Sequence, residues 1–194
     1  MTIDHDSLRQ CLRDAELIVC DPPWRYGRNA ASNGWRSSAR RFYAALTEEE
    51  LCSMRVGDYC ANDAVLLMWS TAKHIPSALA IMNAWGFDYR TIFQVWCKTT
   101  NAGQPLFGLG LYSRSSTEYL LLGIKGKVKR LLSPTARDVS GIIFARRGRH
   151  SAKPIEAFER INHRFTARKK VELFARDQTS GWLCWGDQIV ESEE

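Results

Sequence analysis

The chain has no Cys-x-x-Cys pair. Its six cysteines (Cys11, Cys20, Cys52, Cys60, Cys97 and Cys184) are scattered, mostly within apolar segments, and have no histidine nearby at zinc spacing. They read as reduced, buried packing residues, and no metal is called for. No apolar run approaches the length of a membrane span, and residues 2–6 are polar and acidic, unlike a secretory signal. The expected compartment is the cytoplasm, or the nucleus in a host that has one, with no membrane partner. Internal repeats are absent, and the only biased segment is the acidic run 191–194. One absence is local: residues 125–149 hold eight lysines and arginines but a single acid, Asp138. What is present is a chain of 194 residues with a net charge of +6. That length suffices for one packed domain spanning 1–194, and the charge suits a polyanionic partner.

The most suggestive stretch is Asp21-Pro22-Pro23-Trp24, which directly follows the apolar run Leu17-Ile18-Val19-Cys20. Prolines lack a backbone N–H and fix φ, so they end a sheet ladder and hold their carbonyls in a set direction. A carboxylate, a fixed Pro22 carbonyl and a flat aromatic at one strand tip would suit a planar amine. Adenine's amine is a poor nucleophile because its lone pair is delocalised into the ring. Two acceptors on its hydrogens would favour a pyramidal nitrogen and offset the charge that develops on methylation. The plainer reading is an Asp-Pro turn closing a buried strand, with Trp24 in the core.

The remaining chain alternates strand-like and helix-like segments. Asp6 or Ser7 can cap a short helix, and a first strand is expected over residues 15–20. Residues 25–41 follow neither period and form an expected long loop over the site. That loop carries Tyr26, Arg28, Trp35, Arg36, Arg40 and Arg41, and interleaved arginines and aromatics suit phosphates and bases. Thr47-Glu48-Glu49-Glu50 is a capping box opening a helix. A buried strand over 65–69, a helix ending at Gly86 and a strand over 89–98 come next. Gly108-x-Gly110 precedes a strand instead of opening a helix, so it is too weak for a nucleotide loop. After a strand over 118–124, the basic run 125–149 includes Arg147 and Arg149 and reads as one electrostatic patch. Lys153 and Pro154 lead into a helix whose start suits an anion. The last buried strand, 171–175, contains Glu172, which so apolar a run should supply with a polar partner. Strand-helix alternation predicts an α/β fold, a mainly parallel sheet with helices on both faces.

Several of these segments together resemble the adenine-N6 methyltransferases related to the messenger-RNA adenosine methyltransferase of eukaryotes, a family with bacterial and phage members. They are Asp21-Pro22-Pro23-Trp24, Leu46-Thr47-Glu48-Glu49-Glu50-Leu51, Ala84-Trp85-Gly86-Phe87, Val95-Trp96-Cys97-Lys98, Gly108-Leu109-Gly110, His150-Ser151-Ala152-Lys153-Pro154 and the run 168–176. The resemblance implies a Rossmann-like, S-adenosylmethionine-dependent fold in permuted order, with the catalytic segment first and the cofactor strand last. It implies that Asp21, Pro22, Pro23 and Trp24 hold the target adenine. Lys153 would meet the methionine carboxylate of the cofactor. Glu172 and Arg176 would contact its ribose, Phe174 would belong to the cofactor site, Asp187 and Gln188 would lie near ribose and adenine, and Asp4 or its neighbour Ile3 at the adenine turn. Asp187 stands where relatives commonly have asparagine, so a hydrogen-bond donor is lost there. By analogy with small stand-alone members, DNA is favoured over RNA as the partner, and a homodimer or partner subunit is compatible with the chain. The alternatives are a non-catalytic scaffold subunit, an RNA adenine methyltransferase and a cytosine-amine methyltransferase.

Overall fold

The computed structural model describes residues 3–24, 45–108, 112–148, 152–186 and 189. The regular elements in chain order are α1 His5–Leu12, β1 Leu17–Cys20, α2 Glu48–Ser53, β2 Ala64–Ser70, α3 Ile75–Ala84, β3 Asp88–Thr99, β4 Thr117–Lys125, β5 Ile142–Arg146, α4 Ile155–Arg164, β6 Lys170–Leu173 and β7 Leu183–Trp185. One sheet takes all seven strands in the order β5-β3-β4-β2-β1-β6-β7. The pairs β1–β2, β1–β6, β3–β5 and β6–β7 are parallel, while β4 runs antiparallel to both β2 and β3. The expected mainly parallel sheet is therefore present, with one reversed strand inside it.

Strands β1 and β2 are buried along their whole length because both faces of the sheet are covered. Side-chain alternation then divides the core. Ile18, Cys20, Leu66 and Met68 pack with Leu8 and Leu12 of α1, Leu51 of α2, and Ala78, Ile81 and Met82 of α3. Leu17, Val19, Val65, Leu67 and Trp69 face the other way, against Ala157 and Ile161 of α4, with Phe165 and Trp182. Two indoles anchor these layers: Trp85 Nε1 donates to the Leu51 carbonyl, and Trp96 Nε1 to that of Ala145.

Local signals explain most boundaries. The Thr47–Glu50 capping box forms at α2 with both reciprocal bonds, and Gly86, at φ +78°, ends the α3 segment as expected. Three expectations need correcting. The cap of α1 is Asp4, whose carboxylate accepts from the amides of Asp6 and Ser7, so the helix begins earlier than Asp6 or Ser7 would place it. Strand β5 lies inside the basic run, where alternation of buried Ile143 and Ala145 with exposed Ile142 and Phe144 is only five residues long. All six cysteines are free thiols, but only Cys20 and Cys60 are buried.

The reversal of β4 also divides the basic run. Lys125 donates to the Gly57 carbonyl, and Arg130 pairs with Glu16 and Asp63 just before β1 and β2. These cations serve the amino-terminal edge of the parallel strands. Arg147, directly after β5, lies at the opposite edge. No helix among the described residues is long and apolar enough to cross a membrane.

Candidate active site

Strand order reverses between β1 and β6, the place where open α/β sheets leave a crevice beyond their carboxyl ends. Asp21 extends β1 on one side of this crevice, and Phe174 to Arg176 extend β6 on the other. Because β4 is antiparallel, its first residues arrive at the same edge, so Glu118 joins them from two strands away.

Lys153, in the segment leading into α4, connects the group. Its ammonium lies 2.9 Å from Asp21 Oδ2 and 2.9 Å from Glu118 Oε2, and 5.4 Å above the Trp69 ring. Lys98, at the end of β3, lies 2.5 Å from Glu118 Oε1, and Arg176 Nη2 lies 3.5 Å from Asp21 Oδ2. Burial acts against the charge on Lys153, but Asp21 and Glu118 outweigh it and hold the ammonium above the ordinary lysine range. Burial likewise opposes the charge on Glu118, and the two lysines overcome it, leaving its carboxyl below the ordinary range. Lys153, Lys98 and Arg176 thus meet Asp21 and Glu118 at this edge.

Glu172 behaves differently. Its carboxyl is pushed above the ordinary range by burial, with Asp21 and Asp177 adding to the effect and the Thr179 hydroxyl opposing it. That hydroxyl, donating to Oε2 at 2.6 Å, is the polar partner that the apolar strand required. Beyond β6 the chain turns at Phe174, whose φ of +61° is left-handed, a conformation costly for a residue with a side chain. The turn lets the Ala175 amide donate to the Trp185 carbonyl and sets the Phe174 ring edge-on to Trp185, 5.8 Å between centroids. A Cβ at Gly186 would overlap the Ala175 carbonyl, so only glycine fits as the chain leaves β7. Trp185 Nε1 donates to Ser7 Oγ, which brings the start of α1, with Ile3 and Asp4, to this side of the site. The Asp4 carboxylate is exposed and engaged in capping.

The tetrapeptide itself forms a tight turn. The Trp24 amide donates to the Pro22 carbonyl at 2.8 Å, and the Leu46 amide to the Pro23 carbonyl. Pro22 therefore points its carbonyl as fixed backbone, with one lone pair already engaged. The Trp24 indole stacks on His74, 5.2 Å between centroids and 9° between planes. One of its faces is thus covered by protein.

The structure brings together Asp21, Pro22, Pro23, Trp24, Lys153, Glu172, Phe174 and Arg176, and leaves Arg147 exposed at the same edge. Tyr26, Arg28, Trp35, Arg36, Arg40 and Arg41 lie outside the described residues, as do Arg149, Asp187 and Gln188. Sequence reasoning missed Glu118, the partner role of Lys98, and His74. For Glu118 the signal was available: a carboxylate opening an apolar strand raises the same question that Glu172 did.

Comparison with known proteins places this constellation in context. The MT-A70 family profile matches residues 15–188. The Type II methyltransferase M.MunI of a Mycoplasma species is 33% identical over 195 residues, covering 92% of this chain and 79% of that protein. The N6-methyladenosine RNA methyltransferase MTA1 of Pyricularia oryzae is 27% identical, covering 96% of this chain and 50% of that protein. The N(6)-adenosine-methyltransferase non-catalytic subunit METTL14 of Drosophila melanogaster is 26% identical, and this chain spans 47% of it.

Proposed function

Because the chain belongs to the MT-A70 family of adenine methyltransferases, we propose that it is a single methyltransferase domain that methylates the N6 amine of adenine in nucleic acid, with S-adenosylmethionine as donor. The observation that carries this reading is the meeting of Asp21-Pro22-Pro23-Trp24 with Lys153, Glu172 and Arg176 across the β1/β6 crevice. DNA is favoured over RNA because the Type II methyltransferase is matched along most of its length, whereas the relative named for RNA is matched along half.

The donor set fits the cofactor. The Lys153 ammonium, which has three donor hydrogens and takes Asp21 and Glu118 with two, suits a carboxylate with the third. The Glu172 carboxylate, whose charge is disfavoured by burial, would be relieved by ribose hydroxyls donating to it. When bound, the cofactor supplies an electrophilic methyl group on a sulfonium.

The chain's own residues do the rest. Asp21 Oδ2 takes Lys153 and Arg176, and Oδ1 is the acceptor assigned to the adenine amine, together with the second lone pair of the Pro22 carbonyl. These acceptors orient the amine and offset the charge that grows on nitrogen. Asp21 acts as a hydrogen-bond acceptor, and the proton leaves after transfer to carboxylate or water. In duplex DNA the adenine must leave the stack, and the outward face of Trp24 is where it would rest.

The test is labelled methyl transfer to duplex DNA, single-stranded DNA and RNA side by side, with the product nucleoside identified. N6-methyladenine is expected, most on DNA. Asp21→Ala should abolish transfer yet retain cofactor binding by calorimetry, since Lys153 keeps Glu118 as its counter-ion. Full activity of that variant would sink the proposal, and a wild-type protein that binds nucleic acid but no cofactor would instead be a scaffold.

A further inference from the structure

We propose that His74 is a positioning residue that fixes the plane of Trp24 and thereby the surface on which the target base stacks. The inference rests on the reading that Asp21-Pro22-Pro23-Trp24 holds the base. Its basis is geometric. The imidazole lies nearly parallel to the indole, 9° between planes, and His74 is only 8% exposed. Its own orientation is fixed twice over. Nδ1 lies 2.9 Å from Thr71 Oγ1, and the backbone turns tightly through Ala72–His74, where the His74 amide donates to the Thr71 carbonyl, immediately before α3. Thr71 directly follows β2, so the imidazole is referred to the buried sheet.

Trp24 is partly buried against the core that α1, α2 and α3 share. It is the last residue of a turn held by one short-range hydrogen bond and an isolated bridge to Leu46. Neither backbone contact by itself sets the tilt of the indole. A planar ring behind it fixes that tilt, and pre-set orientation of a reacting group's support is a rate effect. The imidazole acts here by its shape and flat face, with one nitrogen already directed to Thr71, so it is assigned no proton transfer.

This role separates from a chemical or merely structural one by its pattern of variants. His74→Ala should lower kcat for methyl transfer to unmethylated plasmid DNA roughly 10- to 100-fold, the scale expected when a support is misplaced. The dissociation constant for S-adenosylmethionine should stay within about twofold, because Lys153, Glu172 and Arg176 are untouched. His74→Phe, which keeps a flat ring but no nitrogen, should restore kcat to within about threefold of wild type. The near-ultraviolet circular dichroism attributable to Trp24, read as the wild-type spectrum minus that of Trp24→Phe, should shrink in a His74→Ala background and return with phenylalanine. Equal kcat for His74→Ala and wild type would overturn the proposal, and so would an inactive His74→Phe that keeps the dichroism. If the wild-type protein methylates nothing, the parent reading fails, while the dichroism still decides whether His74 sets the indole.

Discussion

Glu118 is the residue whose removal most directly probes the charge network. It accepts from Lys98 through one oxygen and from Lys153 through the other, and its side chain is 10% exposed. Removing one partner of a buried ion pair commonly costs about 3–5 kcal/mol because the other is left uncompensated. In Glu118→Gln, Lys153 keeps Asp21, and Lys98, at 22% exposure, can reach water. The expected loss is therefore smaller, about 2–3 kcal/mol near neutral pH. At about 2–4 °C per kcal/mol for a chain of this size, the thermal midpoint should fall roughly 4–12 °C.

The pH dependence gives this prediction its sign. The Glu118 carboxyl is held below its ordinary range in the folded protein. Its stabilisation is then complete above the unfolded value of about 4.3 and is lost as pH falls through the folded one. The gap between wild type and Glu118→Gln in urea denaturation should be widest at neutral pH and should narrow on acidification. Lys98→Met in the same background should cost less than in wild type, since its partner is already gone. Equal stability at neutral pH, or a gap that stays constant into acid, would refute the assignment of Glu118 as the shared counter-ion.

Glu172 carries the opposite sign. Its carboxyl is raised by burial, so its charge burdens the folded state increasingly as pH rises through the folded value. Glu172→Gln should therefore raise the unfolding free energy from urea denaturation at pH 8 by about 1 kcal/mol, while weakening S-adenosylmethionine binding in calorimetry roughly tenfold. Gln94 is fully buried, and among the described residues neither end of its amide has a hydrogen-bond partner. Gln94→Met should stabilise the fold by about 1–2 kcal/mol without changing cofactor affinity, as thermal unfolding and calorimetry would show. Gly186→Ala must push back the Ala175 carbonyl and should cost about 1–3 kcal/mol in denaturation. Arg147→Ala should flatten the salt dependence of DNA binding by about one unit of slope, whereas Lys129→Ala, at the far edge of the sheet, should leave it unchanged.

The elements that sequence disclosed were those whose signal is local. Thr47 and Glu50 close their capping box within one turn, and the apolar runs at β1 and β2 are what a strand buried on both faces must contain. The tetrapeptide at the tip of β1 was readable for the same reason. What sequence withheld was direction. Nothing in the composition of Thr117–Lys125 says that this strand runs against its neighbours, yet that reversal decides which of its ends joins the site. Nine residues, with eight rises of about 3.3 Å between them, separate the two ends by roughly 26 Å. The near end delivers Glu118 to Lys153, and the far end carries Lys125 and Arg130 away to Gly57, Glu16 and Asp63. A basic run that looked like one nucleic-acid surface is thus divided, one part holding the amino-terminal edge of the sheet together and the other, Arg146 and Arg147, at the carboxyl edge. His74 was hidden for a related reason: its partner Trp24 is 50 residues away, and only the parallel pairing of β1 with β2 sets the two rings face to face. The chemistry of this site therefore depends on contacts across strands, and those contacts follow from the order and direction of the sheet more than from any single motif.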